Sequence, residues 1–267
     1  MEIFGILNLT NDSFSDGGLF LEPNSAIQHS IELINSGADI IDIGAQASNL
    51  NSIQITSEQE WQRIELVLIE LKKKNYRISI DTCKPEVIEK SILASVEFIN
   101  NIKAFNSDEE EEILKKYIPN LPNLVLMFSH NNGSKAELNS KLQVLTIIDT
   151  ISNFFDSKLN KLIKIGVPEE NLIIDPGMGF FLGEDPLLSI EVLKNINTLK
   201  NRFKKVLVSV SRKSFIGSIL DGIPPKDREI GSLALEIYLA ESKIDFIRTH
   251  NPKQLKQSLK IREYILK

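Results

Sequence analysis

The feature that most constrains this chain is a rhythm: eight short apolar runs, separated by segments with helical spacing. The runs are 2–8 (EIFGILN), 38–44 (ADIIDIG), 77–81 (RISID), 97–102 (EFINNI), 124–128 (LVLMF), 172–177 (LIIDPG), 205–211 (KVLVSVS) and 245–250 (DFIRTH). They are rich in Ile, Val, Leu and Phe and predict strands. Between them, apolar residues recur at i, i+3 and i+4, as in Ala26, Ile27, Ile31 and Ile34, or Ile64, Val67, Leu68 and Leu71, which predicts helices. Strands alternating with helices imply a largely parallel sheet, and a count of eight favours closure into a (β/α)8 TIM barrel over an open doubly wound sheet with the same local pattern. No Pro/Gly-rich linker or aligned repeat divides the chain, so 1–267 is read as a single domain.

Helix boundaries carry their own signals. Ser57 with Glu60 three residues on predicts a capping box, and Pro85 suits a first helical position. Ser107 precedes an acidic run at 108–112 that gives way to Lys115 and Lys116, the polarity a helix dipole favours, so the run reads as a solvated helix face. The gap 129–171 predicts a loop and then a long helix at about 141–165.

Charge and cysteine content narrow the function. A formal charge of −5 offers no broad basic field, which disfavours nucleic acid as a partner and requires any anion site to be built locally. Cys83 is the lone cysteine, so no internal disulfide forms and a reducing, cytoplasmic setting is expected. There is no secretory leader pattern and no apolar run of roughly 18 residues, so no membrane association is expected.

A barrel places its chemistry at the carboxyl ends of its strands. The residues there are Asn8, Asp42, Asp81, Asn100 with Asn101, Asp175, then Ser211, Arg212 and Lys213, then Arg248 and His250. An Asp after a strand is commonly a cap or turn former. Acceptors from several strands meeting cations on the last two instead imply a ligand with a donor-rich polar ring and an anionic tail. Asp81, Asn100 and Asp175 suit the N–H edge of a heterocycle such as a 2-amino-4-oxo-pterin, and Lys213 a ring carbonyl or nitrogen. Arg248 and His250 suit phosphate.

Six stretches then resemble, in order, the motifs of dihydropteroate synthases: GILNLTNDSFSDGG (5–18), ADIIDIG (38–44), SIDTCKPEV (79–87), LIIDPGMGF (172–180), VSRKSFIG (210–217) and IRTH (247–250). The resemblance implies a barrel, usually homodimeric, that joins 6-hydroxymethyl-7,8-dihydropterin diphosphate to 4-aminobenzoate and releases diphosphate. It implies Asp81, Lys213 and Asp42 as catalytic residues. Pterin would be held by Asp81, Asn100, Met127, Asp175 and Lys213, and diphosphate by Asn8, Arg248 and His250. Asn8 would also ligate Mg²⁺, and Ser48, Phe180, Phe181 and Ser214 would line the 4-aminobenzoate pocket.

Departures from the family pattern cluster in loops. After the second run the usual Gly-Glu-Ser-Thr-Arg-Pro-Gly is replaced by GAQASNLN (44–51), putting Ser48 for Thr, Asn49 for Arg and Leu50 for Pro. Asn11 stands for Pro, Asn101 for Asp, Phe128 for His, and GMGFFLG (177–183) lacks a Lys while adding an aromatic residue. In these stretches the chain looks most like the sulfonamide-insensitive resistance enzymes, so insensitivity is the expectation. Two rival functions are a non-catalytic pterin-binding paralogue, suggested by the missing arginine, and a pterin-dependent methyltransferase of the same fold.

Overall fold

In the computed structural model, which describes residues 1–10, 22–50, 52–133 and 135–265, all eight runs become parallel strands. They are β1 (Glu2–Asn8), β2 (Ile40–Gly44), β3 (Ile78–Asp81), β4 (Phe98–Asn101), β5 (Asn123–Met127), β6 (Leu172–Asp175), β7 (Leu207–Val208) and β8 (Phe246–Thr249). The ladder runs β6-β5-β4-β3-β2-β1-β8-β7, and a single bridge between Ile174 and Val206 joins its two ends. The helices are α1 (Pro23–Asn35), α2 (Ser57–Lys73), α3 (Pro85–Leu93), α4 (Asp108–Lys116), α5 (Ile147–Lys164), α6 (Pro186–Lys194), α7 (Ile196–Arg202), α8 (Ser214–Ile219), α9 (Glu229–Glu241) and α10 (Pro252–Ile265). The expected barrel is therefore the observed fold.

Side-chain alternation divides each strand between two cores. Phe4, Ile40, Phe98, Val125, Ile173, Leu207 and Phe246 form one buried cluster, the floor of the barrel interior. Phe4 meets Phe98 edge to face at 5.0 Å and Phe246 at 5.5 Å; removing such a ring costs about 3–5 kcal/mol. Residues of the other parity, such as Ile41, Ile43, Ile80, Ile99 and Leu126, face outward and pack with Ile64, Val67, Leu68 and Leu71 of α2 in the larger core.

Two local expectations are corrected. The capping box of α2 belongs to Thr56 and Gln59, whose side chains each bond the other's backbone N–H at 3.2 and 3.0 Å. Glu60 is unavailable for it, because its side chain is buried and stands 2.6 Å from Lys84 Nζ. The acidic run opening α4 is only partly solvated. Asp108, Glu109 and Glu112 are exposed, whereas Glu110 and Glu111 are buried, one accepting from Asn101 and Ser107 and the other pairing with Lys161. Pro85 and the box of Ser107 with Glu110 stand where expected. Asn11 and the rest of the first loop, 11–21, lie outside the described residues.

Candidate active site

Strand register assembles the site. Asn8 pairs with Gly44, Gly44 with Asp81 and Asp81 with Asn100, so one rung of the parallel ladder carries residues from four strands. Met127 pairs with Asp175 on the far side. Counting up from the floor cluster in steps of two gives a second interior layer of Ile6, Asp42, Asn100, Met127, Asp175, Ser209 and Arg248, with Asn8, Asp81, Ser211 and His250 nearer the mouth. Asn101 has the opposite parity. It faces outward, donating to Glu110 at 2.7 Å and accepting from Lys103 N–H at 2.8 Å, which gives it a structural role. Phe128 also leaves the site, packing edge to face on Phe154 at 5.2 Å.

A cavity of about 440 Å³ opens over these layers. Among the residues expected from sequence, Asn8, Ser48, Asp81, Phe180, Phe181, Lys213, Ser214, Arg248 and His250 line it. Asp42, Asn100, Met127 and Asp175 sit one layer deeper, all buried. Met127 packs with Ile102, Ala136 and Phe181, and the Lys213 ammonium rides 4.6 Å from the centre of the Phe181 ring.

Two glycines shape the wall after β6. Gly177 has φ +71°, and a Cβ there would come within 2.2 Å of the Phe128 carbonyl oxygen. Gly179 has φ +64° and lies against Ser214, whose hydroxyl accepts the Phe180 N–H at 3.1 Å. Larger residues at either position would be strained as well as crowded. The turn thereby brings Phe180, Phe181 and Ser214 to one side of the cavity.

Charges are paired tightly at the bottom. Arg248 donates from Nε to Asp42 Oδ2 at 2.5 Å and from Nη2 to Asp81 Oδ2 at 2.8 Å. Burial alone would lower its pKa, but Asp42 and Asp81 outweigh that and hold the guanidinium firmly charged. Asp42 Oδ1 has no hydrogen-bond partner among the described residues. Burial pushes Asp175 up to about 6 despite the Gly177 N–H on its Oδ1 at 2.9 Å, and pushes Lys213 down to about 8, with Arg248 adding to the effect. Asp81 is also raised by burial, Arg248 offsetting part of the shift.

His250, expected beside phosphate, is an uncharged ring. Burial, then Arg212 and Arg248, depress its pKa well below the ordinary value, so the ring is neutral, with Nδ1 2.9 Å from Ser211 Oγ. Both cations at 212–213 line the cavity, but they differ in partner: Arg212, with φ +58°, pairs with Glu229 at 2.8 Å, while the Lys213 ammonium stands over the Phe181 ring. Burial pushes the Cys83 thiol up to about 11, away from the reactive thiolate form.

Comparison with known proteins matches the "Pterin binding enzyme" family model over residues 4–250. The chain belongs to the pterin-binding enzyme family. It is 41% identical over 264 residues to the dihydropteroate synthase type-3 of Escherichia coli, covering 97% of each chain. The dihydropteroate synthase of Yersinia pestis, solved with a sulfonamide drug complex, superposes with TM-score 0.88 at 28% identity, covering 99% of this chain and 94% of that one. The Clostridium difficile enzyme, solved in the presence of pteroic acid, gives TM-score 0.85 at 31% identity, covering 99% and 96%.

One lining residue of this family member escapes strand-end reasoning because it sits in a loop before α9. Arg228 lines the same cavity as Ser214, and its hydrogen bonds among the described residues go to backbone oxygens, those of Ile223 at 3.0 Å and Arg212 at 3.1 Å. Among the described residues no carboxylate pairs with it. Its one sequence signal is a cation in the mixed-charge stretch PPKDRE (224–229), beside Lys226, Asp227 and Glu229, which is indistinguishable from surface charge.

Proposed function

We propose that this chain is a dihydropteroate synthase, condensing 6-hydroxymethyl-7,8-dihydropterin diphosphate with 4-aminobenzoate to give 7,8-dihydropteroate and diphosphate. The observation that carries the reading is the convergence of buried acceptors Asn100 and Asp175, cavity-facing Asp81, and the Lys213 ammonium around one cavity of about 440 Å³ that is also lined by Arg228, an arginine with no carboxylate partner among the described residues. Asp175 and Asn100 accept from the pterin's N–H edge while Lys213 donates to the ring carbonyl or nitrogen. The diphosphate lies toward Asn8 and His250, with Arg248 positive behind it. As the methylene C–O bond breaks, its electron pair leaves with diphosphate, and the arylamine nitrogen then forms the C–N bond and loses a proton. Such chemistry needs charge stabilisation and exclusion of water rather than a strong base. The arylamine carboxylate is received by Ser214 and Arg228, between Ser48, Phe180 and Phe181.

Mg²⁺ fits the residues present. Gly44 leaves a gap that a Cβ would fill, with Asn8 Oδ1 3.9 Å and Asp81 Oδ2 3.7 Å from that point, and Mg²⁺ favours one or two protein oxygens supplemented by phosphate and water. Asn8 would hold it, and bound there it would neutralise charge on the leaving diphosphate. The resistance-type branch is supported by the type-3 relative and the rebuilt loops. A homodimer is supported by exposed Ile219, Leu220, Ile230 and Tyr238 on the α8–α9 side, and a cytoplasmic setting by the lone thiol. No helix among the described residues is long and apolar enough to cross a membrane.

A coupled assay for diphosphate release, run with and without 4-aminobenzoate, tests the reading. Release that depends on the arylamine and yields dihydropteroate supports it. Tight pterin binding without any product would instead establish the non-catalytic paralogue.

A further inference from the structure

A loop leaving a barrel strand holds no fixed shape unless its backbone groups find partners. Between β2 and α2, one side chain satisfies several at once. Gln46 turns back into its own loop, its Oε1 accepting the Ile55 N–H at 2.9 Å and its Nε2 donating to Ile53 O at 3.0 Å and Ala47 O at 2.9 Å. The far end of the loop, seven and nine residues on, is thereby fixed to its root. Lys84, at the start of α3, donates to the same Oε1 at 3.3 Å and is itself held 2.6 Å from the buried Glu60 carboxylate. Arg63 Nη1 donates to Ala45 O at 3.1 Å, and Ala136 N–H donates to Ser48 O at 2.9 Å. The loop is tied at its base and at its crest.

We infer that Gln46 is a positioning residue that pre-forms the arylamine side of the cavity, fixing Ser48, Asn49 and Leu50 in place before the ligand arrives. This rests on the arylamine pocket proposed above. The site requires a carboxamide. Ile55 N–H and Lys84 both need an acceptor, and two carbonyl oxygens need a donor, so one group must offer both ends. A carboxylate of the same shape would set oxygen against the carbonyls of Ile53 and Ala47. A wall fixed in advance spends no binding energy on ordering, and it discriminates by shape because it does not yield.

The test uses the full chain with Gln46→Glu and Gln46→Ala, the isosteric change guarding against misfolding and circular dichroism checking the fold. Steady-state KM for 4-aminobenzoate should rise about tenfold in both, the scale of one or two lost hydrogen bonds, while pterin diphosphate affinity by calorimetry stays within about twofold. Amide hydrogens of Ile53 and Ile55 should exchange faster. Unchanged arylamine KM, or an equal loss of pterin affinity, overturns the assignment. A wild-type chain that forms no dihydropteroate would remove the functional reading instead, and the exchange rates would then decide alone: faster exchange supports the Gln46 latch, and unchanged exchange overturns it.

Discussion

Arg248 and Asp81, 167 residues apart in sequence, meet at 2.8 Å inside the barrel, and the same guanidinium holds Asp42. The cation expected from sequence to serve phosphate thus first holds two carboxylates, one fully buried, in a single arrangement. Removing it in Arg248→Ala leaves the buried Asp42 side chain without its partner, at a cost of about 3–5 kcal/mol of folding stability. Lysine cannot restore both contacts, having a point charge where two are needed. Thermal denaturation should show a large drop for both variants, and a melting point equal to wild type in Arg248→Ala would contradict the role.

Asp175→Asn replaces an acceptor with a donor facing the pterin N–H edge. The loss should be on the order of 2–4 kcal/mol of pterin affinity, read by titration calorimetry, with melting little altered. Normal affinity in a folded variant would misplace the pterin.

Pterin binding should depend on pH with two limbs. Asp175, raised to about 6, must be ionised to accept, so affinity should climb as pH rises through about 6; Lys213, lowered to about 8, must be protonated to donate, so affinity should fall above about 8. Stability of the free protein moves differently. Folded Asp175 binds a proton more tightly than the unfolded chain does, so its contribution declines as pH rises from about 4 toward 6. Folded Lys213 binds its proton less tightly, so its contribution grows between about 8 and the ordinary lysine range. In calorimetry across pH 5 to 9 the acid limb should shrink in Asp175→Asn, the remainder belonging to Asp81, which burial pushes up to about 7.

Arg228→Gln should weaken 4-aminobenzoate by about 1.5–3 kcal/mol, the range for a hydrogen bond to a charged group. An arylamine lacking the carboxylate should be insensitive to the change. Comparing KM for the two amines decides it, since equal losses would show a general disturbance of the wall.

Sulfonamides extend past the position of the arylamine carboxylate, so a fixed bulky wall can reject them by overlap while admitting the smaller substrate. Phe180, tethered to Ser214, and Phe181, packed on Met127, supply such bulk. Weak inhibition of the wild type is expected, with Phe180→Ala or Phe181→Ala restoring it. Potent inhibition competitive with 4-aminobenzoate in the unmodified enzyme would leave these loops without a role in drug discrimination.

Strands and their polar ends were readable because the signal is local: an apolar run fixes a strand, and alternation then fixes which residues face inward. Asp81, Asn100, Asp175, Lys213 and Arg248 came from that rule. Where sequence reading went astray, the deciding partner was distant. Asn101 and Asn100 look alike until parity assigns Asn101 to Glu110 on α4, and Glu60 resembles a capping residue until Lys84 on another helix takes it. The charge state of His250 is likewise set at a distance: burial first, and then Arg212, Arg248 and Lys213 from separate positions around the mouth, depress its pKa. Gln46 and Arg228 carry no motif, because their roles arise from backbone groups that only folding brings close.

The barrel is closed by one bridge, Ile174 to Val206, next to a strand of two residues. Every other neighbouring pair of strands shares a longer ladder, making this seam the weakest line around the circumference. Asp175 follows Ile174 on one side of it, and Lys213 follows β7 on the other. A pterin gripped by both therefore spans the seam like a staple, so filling the site also finishes the wall of the barrel. Slowed opening of β6 and β7 then becomes a direct mechanical record of occupancy.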